Sequence, residues 1–278
     1  MTDLHEALRG ILDEEELKLL PRGFKRIGHV AIIHLPAELV NRAHVIALKI
    51  IQLSGAKTVA LSEGAITGCF REPRLRVIAG DPVTETVHVE NGCKYKIDAA
   101  RVMFSPGNIH ERGRIIELVS PGEVIVDLFS GVGQFSIPIA VHAKPSRIYS
   151  IEMNQVAFRY LLENIRINKV GNIVKAILGN CLEVAPRGVA DRVIMGILHV
   201  THLYLPLAFK VLKPEGGVIH YHETVPACLR FKRPIDRILQ AAGERKIEIM
   251  NKRVVKRYSP GVDHVVIDAR VEPGGQQI

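Results

Sequence analysis

Two glycines stand directly after a short apolar run, in the stretch Asp127-Leu-Phe-Ser-Gly131-Val-Gly133. Glycines at such a turn let the backbone approach a ligand closely, and the start of a following helix offers free N–H groups. Glu152 lies 21 residues after Gly131, close to the roughly 20 residues expected for an acid that accepts ribose hydroxyls. Ser136 stands where a dinucleotide site has a third glycine, which weakens a pyrophosphate interpretation.

Further polar residues surround this turn in the sequence. Asn180 and Cys181 follow a later apolar run, at the place where such sheets hold the edge of an adenine ring. A helix starting after Ser-Pro-Gly-Asn would present Arg112, and arginine is the natural partner of a carboxylate such as the amino-acid end of a cofactor. With Asp127 and Glu152, these residues predict a pocket for S-adenosylmethionine on a class I methyltransferase-like sheet. The alternative is an ordinary strand–turn–helix with a surface glutamate.

The elements that must position these residues alternate along the chain after residue 100. Alternation of strand and helix predicts a doubly wound, mostly parallel α/β sheet, and two final strands predict one terminal antiparallel strand. The predicted strands are 124–129, 147–151, 173–178, 192–195, 217–221, 246–255 and 263–270. Residues 1–100 instead combine strands with a helix over 2–20 and one over 37–53 that ends at Gly55. We therefore expect a small α+β N-terminal domain (1–100) and a cofactor-binding catalytic domain (101–278).

Composition limits the class of protein. The chain has 278 residues, of which 47% are hydrophobic and 24% charged, so it can bury a core. The N-terminus has no apolar signal-peptide core, no stretch is long enough to span a membrane, and the four cysteines form no CxxC motif. These features predict a cytoplasmic protein that does not contact membranes. We also expect it to hold no metal and to act as a monomer, although no sequence pattern determines the oligomeric state.

The basic residues are unevenly distributed. The net charge is +8, and residues 230–257 alone hold ten Lys and Arg against three Asp and Glu. Such a run is either a solvated helix face or a surface that binds phosphates. In the second case we expect nucleic-acid contacts from the following residues: Arg71, Lys252, Arg253, Lys256 and Arg257.

The end of the strand at 192–195 is informative because of what it lacks. Enzymes that methylate a ring or exocyclic nitrogen often carry Asn/Asp-Pro-Pro there, whereas this chain continues Met195-Gly196-Ile-Leu. Methylation of a base nitrogen is therefore disfavoured. Histidines at 199, 202, 220 and 222 follow nearby in the sequence, and their roles stay open because spacing supplies no third metal ligand.

Six motifs are spread across residues 25–270. They are 66–71 (ITGCFR), 104–112 (FSPGNIHER), 126–133 (VDLFSGVG), 190–196 (ADRVIMG), 218–225 (VIHYHETV) and 256–264 (KRYSPGVDH). The glycine motif is shared by many folds, but the set is far more selective. Together these motifs resemble the wybutosine-pathway aminocarboxypropyltransferases of archaea and eukaryotes.

The resemblance implies a function. This family alkylates the tricyclic guanosine derivative, 4-demethylwyosine, at position 37 of phenylalanine tRNA, beside the anticodon, with the 3-amino-3-carboxypropyl group of S-adenosylmethionine. It implies cofactor contacts at Ser105, Arg112, Glu152, Asn180 and Cys181, although the family more often has Asp-Asn at the last two positions. Two alternatives remain: a tRNA guanine-37 N1-methyltransferase, from the sister family, and a non-catalytic RNA-binding protein with a vestigial pocket.

Overall fold

The structure, a computed structural model, describes residues 4–64, 68 and 72–273. The chain separates into two compact units, Met1–Pro106 and Gly107–Ile278. The predicted RNA-binding residue Arg71 and the matching segment 66–71, apart from Gly68, lie outside the described residues.

The N-terminal unit contains a mixed four-stranded sheet and a separate hairpin, with helices beside them. In the sheet, neighbours follow chain order and only the two middle strands run parallel. The strands are β1 (Lys25–Ile27), β2 (Val30–Ile33), β3 (Thr58–Ser62) and β4 (Leu75–Gly80), and the hairpin is β5 (Glu85–Glu90) and β6 (Cys93–Asp98). The helices are α1 (Leu4–Leu8), α2 (Glu14–Leu19) and α3 (Ala43–Ser54).

Two helix predictions in this unit were wrong in their bounds. The helix expected over 2–20 is divided, because Asp13 begins α2 with a capping box in which its side chain accepts the Glu16 N–H. The helix expected over 37–53 starts as a 3₁₀ turn and becomes α-helical only at Ala43. Its end is as predicted, since Gly55 takes the left-handed conformation at φ 65°.

The second unit is built on a seven-stranded sheet, and the predicted fold class is confirmed. Its strands are β7 (Val124–Asp127), β8 (Arg147–Glu152), β9 (Val174–Leu178), β10 (Arg192–Met195), β11 (Gly217–Pro226), β12 (Ile247–Ser259) and β13 (Val262–Val271). Their order across the sheet is β12-β13-β11-β10-β7-β8-β9. The five strands from β11 to β9 run parallel, and β13 is antiparallel to both of its neighbours.

Helices cover both faces of this sheet. They are α4 (Ile109–Leu118), α5 (Ser136–His142), α6 (Gln155–Ile167), α7 (Cys181–Val184), α8 (Leu205–Val211) and α9 (Lys232–Ala242). Because central strands are covered on both sides, they are mainly apolar, and Ile125, Val126, Val193 and Ile194 are fully buried. Among the described residues, no helix has the length and apolar character needed to cross a membrane.

Strand β11 is twice as long as predicted. The sequence analysis ended it at Tyr221, before the polar residues His222-Glu-Thr. In the structure these residues continue the strand to Pro226, since ten residue pairs join β11 to β13. Glu223 is fully buried there, and its carboxylate accepts hydrogen bonds from Tyr221, Arg233 and Arg237.

Candidate active site

The strand order reverses between β7 and β10, which are neighbours in the sheet but are separated in the chain by β8 and β9. The carboxyl ends of β7, β8, β9 and β10 therefore meet at one edge, and this switch point is where open α/β sheets bind ligands. The predicted residues Gly131, Gly133, Glu152 and Asn180 all follow these ends. The fold therefore brings them to one place.

The turn after β7 requires glycine at two positions. Gly131 and Gly133 have φ angles of 56° and 93°, in the left-handed region that other residues avoid. A Cβ added to Gly133 would lie only 2.5 Å from Cδ1 of Ile137, whereas one added to Gly131 would meet nothing closer than 3.6 Å. Gly133 is thus needed for packing, while Gly131 leaves open space on the side where a ligand would lie.

Glu152 ends β8 and is tied to this turn. One carboxylate oxygen accepts the N–H of Gly131 at 2.8 Å, and the other accepts the N–H of Asn154 at 2.7 Å. Burial raises the pKa of Glu152, and these backbone donors oppose that rise. Each oxygen can still accept a second hydrogen bond, which two ribose hydroxyls could donate.

The exposed apolar side chains of Met153 and Leu182 follow the ends of β8 and β9, and such side chains can pack on a purine ring. The site therefore fits a nucleoside cofactor such as S-adenosylmethionine.

Asp127 lies below the turn and is fully buried. Its carboxylate accepts hydrogen bonds from the hydroxyl of Ser136 at 2.8 Å and from the N–H of Phe129 at 3.3 Å. Burial raises the pKa of Asp127 to about 6. Through these hydrogen bonds the Asp127 side chain stabilises the glycine turn. A direct contact between Asp127 and the cofactor stays a prediction.

Arg112 reaches the same turn from α4. Its side chain is buried, and the guanidinium donates to Oε1 of Gln134, the residue after Gly133, at 3.2 Å. An arginine beside the glycine turn is placed to bind a carboxylate on a cofactor. Ser105 belongs to the N-terminal unit, and its part in the site stays a prediction.

Asn180 and Cys181 follow β9. The Asn180 side-chain oxygen accepts the N–H of Leu182 at 3.1 Å and so caps α7. Cys181 is buried in the hydrophobic core, and this burial raises the pKa of its thiol to about 11. Since the side-chain oxygen of Asn180 is used in this cap, its side-chain nitrogen is the group that could donate a hydrogen bond to a ligand. Adenine contacts at Asn180 and Cys181 stay predictions.

The predicted RNA-binding residues of this unit all lie on β12, but on both of its faces. Arg253 lies 3.6 Å from the buried carboxylate of Glu111 in α4. The ammonium group of Lys256 lies close to Gly107, just before α4, since a Cβ added to that glycine would be 3.3 Å from the ammonium nitrogen. The ammonium group of Lys252 instead lies 5.8 Å from the ring centre of Phe231, beside α9. Arg257 follows Lys256 and is exposed; since successive strand residues alternate, it points away from α4.

Several other cations of the 230–257 run form ion pairs within the protein. Arg230 pairs with Asp263 at 2.7 Å, and Arg233 and Arg237 pair with Glu223 at 2.7 and 2.5 Å. The excess of +7 in this run is therefore not all available to phosphates.

The chain after β10 carries His199, whose role the sequence analysis left open. The structure places His199 in hydrogen-bond contact with Thr224 and Tyr258. The only sequence signal is a histidine four residues after the strand ends. Its partners are 25 and 59 residues away, so spacing could not reveal them.

Two family models together match most of the chain. The TYW2 N-terminal domain matches residues 4–84, and the TRM5/TYW2 methyltransferase domain matches residues 86–250. The chain belongs to the TRM5/TYW2 family. Two curated relatives are named tRNA(Phe) (4-demethylwyosine(37)-C(7)) aminocarboxypropyltransferase. The protein from Pyrococcus horikoshii is 41% identical over 96% of both chains, and that from Methanocaldococcus jannaschii is 43% identical over 90% of this chain and 98% of its own.

Solved structures of this family resemble the chain closely. Pyrococcus horikoshii TYW2 in complex with MeSAdo has a TM-score of 0.83 at 38% identity, with 98% of both chains covered. Methanocaldococcus jannaschii TYW2 in complex with AdoMet has a TM-score of 0.73 at 38% identity, covering 90% of this chain and all of the other. A further relative, the tRNA (guanine(37)-N(1))-methyltransferase Trm5b of Pyrococcus abyssi, is 38% identical over 93% of this chain and 77% of its own.

The buried histidines of this TRM5/TYW2 family member have protein partners. His220 contacts Asp268 at 2.6 Å and Arg192 at 2.7 Å, and His222 contacts His264 at 3.0 Å. Within 4–64, 68 and 72–273, no group of three or more His, Cys, Asp or Glu side chains could hold a metal ion.

Proposed function

We propose that this protein transfers the 3-amino-3-carboxypropyl group of S-adenosylmethionine to C7 of 4-demethylwyosine at position 37 of tRNA(Phe), beside the anticodon, and releases methylthioadenosine. The observation that carries the proposal is a nucleoside-binding turn beside a strand end, Met195-Gly196, that lacks the Asn-Pro-Pro group of nitrogen methyltransferases. The family and the names of the two aminocarboxypropyltransferase relatives support it.

The bound cofactor supplies a sulfonium whose attached carbons are all electrophilic, with a neutral thioether as leaving group. The protein selects among these carbons by placement, and good alignment alone can contribute about 7–11 kcal/mol. In this proposal Glu152 binds the ribose hydroxyls while Arg112 and Ser105 hold the amino-acid arm, so that the γ-carbon of the arm faces the base. Asp127, Gly131 and Gly133 shape the turn, and Asn180 and Cys181 border the adenine.

The remaining parts of the proposal concern the polymer substrate and the organisation of the chain. Lys252, Arg253, Lys256 and Arg257 bind tRNA phosphates together with Arg71, which lies outside the described residues. A small domain over 1–100 and a catalytic domain over 101–278 act together in a cytoplasmic monomer.

The alternative is a tRNA (guanine-37-N1) methyltransferase, which the 38% identity to Trm5b favours. The test uses precursor tRNA(Phe) and S-adenosylmethionine labelled differently in its methyl group and in its carboxyl carbon. We expect the carboxyl label on tRNA and the methyl label in methylthioadenosine. The methyl label on the tRNA that carries unmodified guanosine 37, with S-adenosylhomocysteine released, would support the alternative, and no transfer to either tRNA would support a non-catalytic binder. The same tRNA with unmodified guanosine 37 is the control and should receive neither label.

A further inference from the structure

His199 has an unusual backbone conformation. Its φ angle is 72°, in the left-handed region that few residues other than glycine adopt. The residue lies in the segment after β10, at the carboxyl edge of the sheet, and it is exposed to solvent. Such conformations concentrate at functional sites.

Two hydroxyl groups orient the imidazole ring. Nδ1 lies 2.9 Å from the Thr224 hydroxyl on β11, and Nε2 lies 3.1 Å from the Tyr258 hydroxyl on β12. The rings of His199 and Tyr258 also meet edge to face, with centres 5.3 Å apart. Strands β11 and β12 both run antiparallel to β13, so Thr224 and Tyr258 stand near carboxyl ends at the same edge. The ring is thus fixed by two elements besides its own segment.

This segment packs against the cofactor turn. A Cβ added to Gly196, three residues before His199, would lie 3.2 Å from the ring of Phe135, and Phe135 follows Gly133 by two residues. His199 therefore stands on a segment in contact with the turn that binds the cofactor. Tyr258 is 43% exposed, so its hydroxyl can be approached by a base that enters from solvent.

We propose that the pair His199 and Tyr258 accepts the proton that leaves C7 of the substrate base. This inference rests on the proposed function. The C7 electron pair forms a bond to the γ-carbon of the arm, and the bond from that carbon to sulfur breaks with its electrons left on sulfur. The C7–H bond then breaks, its electrons restore the aromatic ring, and the proton passes to the Tyr258 oxygen. Tyr258 gives its own proton to Nε2 of His199.

The two ring nitrogens have separate tasks in this step. In a neutral imidazole one nitrogen donates and the other accepts. With the Nδ1 proton donated to the Thr224 oxygen, Nε2 accepts the Tyr258 proton, and Thr224 stabilises the charged ring that results. Since His199 is exposed, it can then release the proton to water. A histidine suits this task because its pKa is near neutral pH.

The test compares His199→Gly and Tyr258→Phe with wild type in single-turnover transfer to precursor tRNA(Phe), with hydrogen or deuterium at C7. Glycine adopts a φ of 72° without strain, so the first variant keeps the segment's backbone. We expect the rate of each variant to fall about 100-fold, with unchanged cofactor affinity. Deuterium should slow both variants but not wild type, because proton loss becomes the slow step. Added imidazole should restore the rate of His199→Gly.

His142→Gln is the matched control, since His142 is an exposed histidine at the end of α5 away from the glycine turn, and it should transfer at the wild-type rate. Wild-type rates in both variants would overturn the inference and leave the proposed function intact. So would slow transfer that neither responds to deuterium nor is rescued by imidazole, since that indicates a structural role. Wild type that transfers no carboxyl label would overturn the proposed function, and the inference with it.

Discussion

The carboxylate of Glu152 accepts the backbone N–H of Gly131 at 2.8 Å and so joins the end of β8 to the glycine turn after β7. A left-handed Gly131 directs its N–H toward the neighbouring strand end, and the second oxygen of Glu152 holds the N–H of Asn154 in the same way. The carboxylate proposed to bind the ribose is therefore fixed in place by the backbone, and its orientation needs no ligand-induced ordering.

Replacing Glu152 by Gln should weaken both the fold and the site. The amide has one acceptor oxygen in place of two, so either Gly131 or Asn154 would face an NH₂ group. We expect the free energy of unfolding to fall by about 1–3 kcal/mol and the Kd for S-adenosylmethionine to rise at least about tenfold. Denaturant titration and calorimetry measure these changes. Glu183→Gln, on the exposed side of α7, should alter neither, and an unchanged Kd in Glu152→Gln would remove that residue from the ribose site.

Arg112 is expected to bind the amino-acid arm of the cofactor. Arg112→Lys keeps the charge but loses the planar fork that binds a carboxylate, so the affinity for S-adenosylmethionine should fall at least about tenfold. Arg112→Ala should weaken it further. Methylthioadenosine has no carboxylate, and calorimetry should find its affinity nearly unchanged in the lysine variant. An equal loss for both ligands would place Arg112 away from the arm.

The glycine turn offers a matched pair of substitutions. Gly133→Ala would place a Cβ 2.5 Å from Ile137, in a buried position, and at a φ of 93°. We expect it to lower the free energy of unfolding by about 1–3 kcal/mol or more. Gly131→Ala meets nothing within 3.5 Å, so it should cost only about 1–2 kcal/mol of left-handed strain. Equal losses in thermal or denaturant unfolding would contradict the packing role assigned to Gly133.

Local patterns were sufficient to predict the second unit's sheet and the residues around its switch point. An apolar run followed by Gly131 and Gly133, with an acid 21 residues on, depends on neighbours in sequence, and so could be recognised. Long-range partners could not be recognised. Strand β11 continues through His222 and Glu223 only because β13 pairs with it, and no local pattern predicts a buried run of polar residues.

The basic run shows a different limit of sequence reasoning. Counting charges in 230–257 treats Lys252 and Arg253 as one surface, but adjacent residues of a strand point to opposite faces. Register shifts in β12, such as the one between Val254 and Lys256, then change which face each later residue takes.

The hydrogen bond between His199 and Tyr258 joins two elements that are far apart in the sequence, so neither sequence spacing nor composition indicated it.

The buried pair His222 and His264 should make stability depend on pH. Burial lowers the pKa of His222 to about 3, while an unfolded histidine titrates near 6.5. Between those values only the unfolded chain binds this proton, so stability that is complete above pH 6.5 is lost as pH falls. His222→Gln removes one such proton. Between pH 6.5 and pH 5 the unfolding free energy of the variant should fall less steeply than that of wild type. The two slopes should differ by about 1.4 kcal/mol per pH unit. Urea titrations at these pH values measure the slopes, and parallel slopes would contradict the prediction.

The exposed cations of β12 should determine how tRNA binding responds to salt. Lys252→Gln and Arg257→Gln each remove one phosphate contact, so each should weaken binding and reduce the slope of log K against log salt concentration by about 1. Filter binding over a range of salt concentrations measures both quantities. Arg270→Gln serves as the control, because Arg270 is exposed on β13 but pairs with Val218 at the opposite edge of the sheet. If Arg270→Gln changed the slope as much, the contact surface would not be confined to the carboxyl end of β12.

In the part of the chain that the structure describes, strand β12 is the last strand on its side of the sheet, and its 13 residues leave a long row of backbone groups without a neighbouring strand. Such an edge can pair with the edge of another molecule and start aggregation. Three register irregularities interrupt this strand, and lysine and arginine side chains recur along it. Both features prevent edge-to-edge pairing. The cations proposed to bind RNA thus have a second consequence, since they disfavour pairing of β12 with the same strand of another copy.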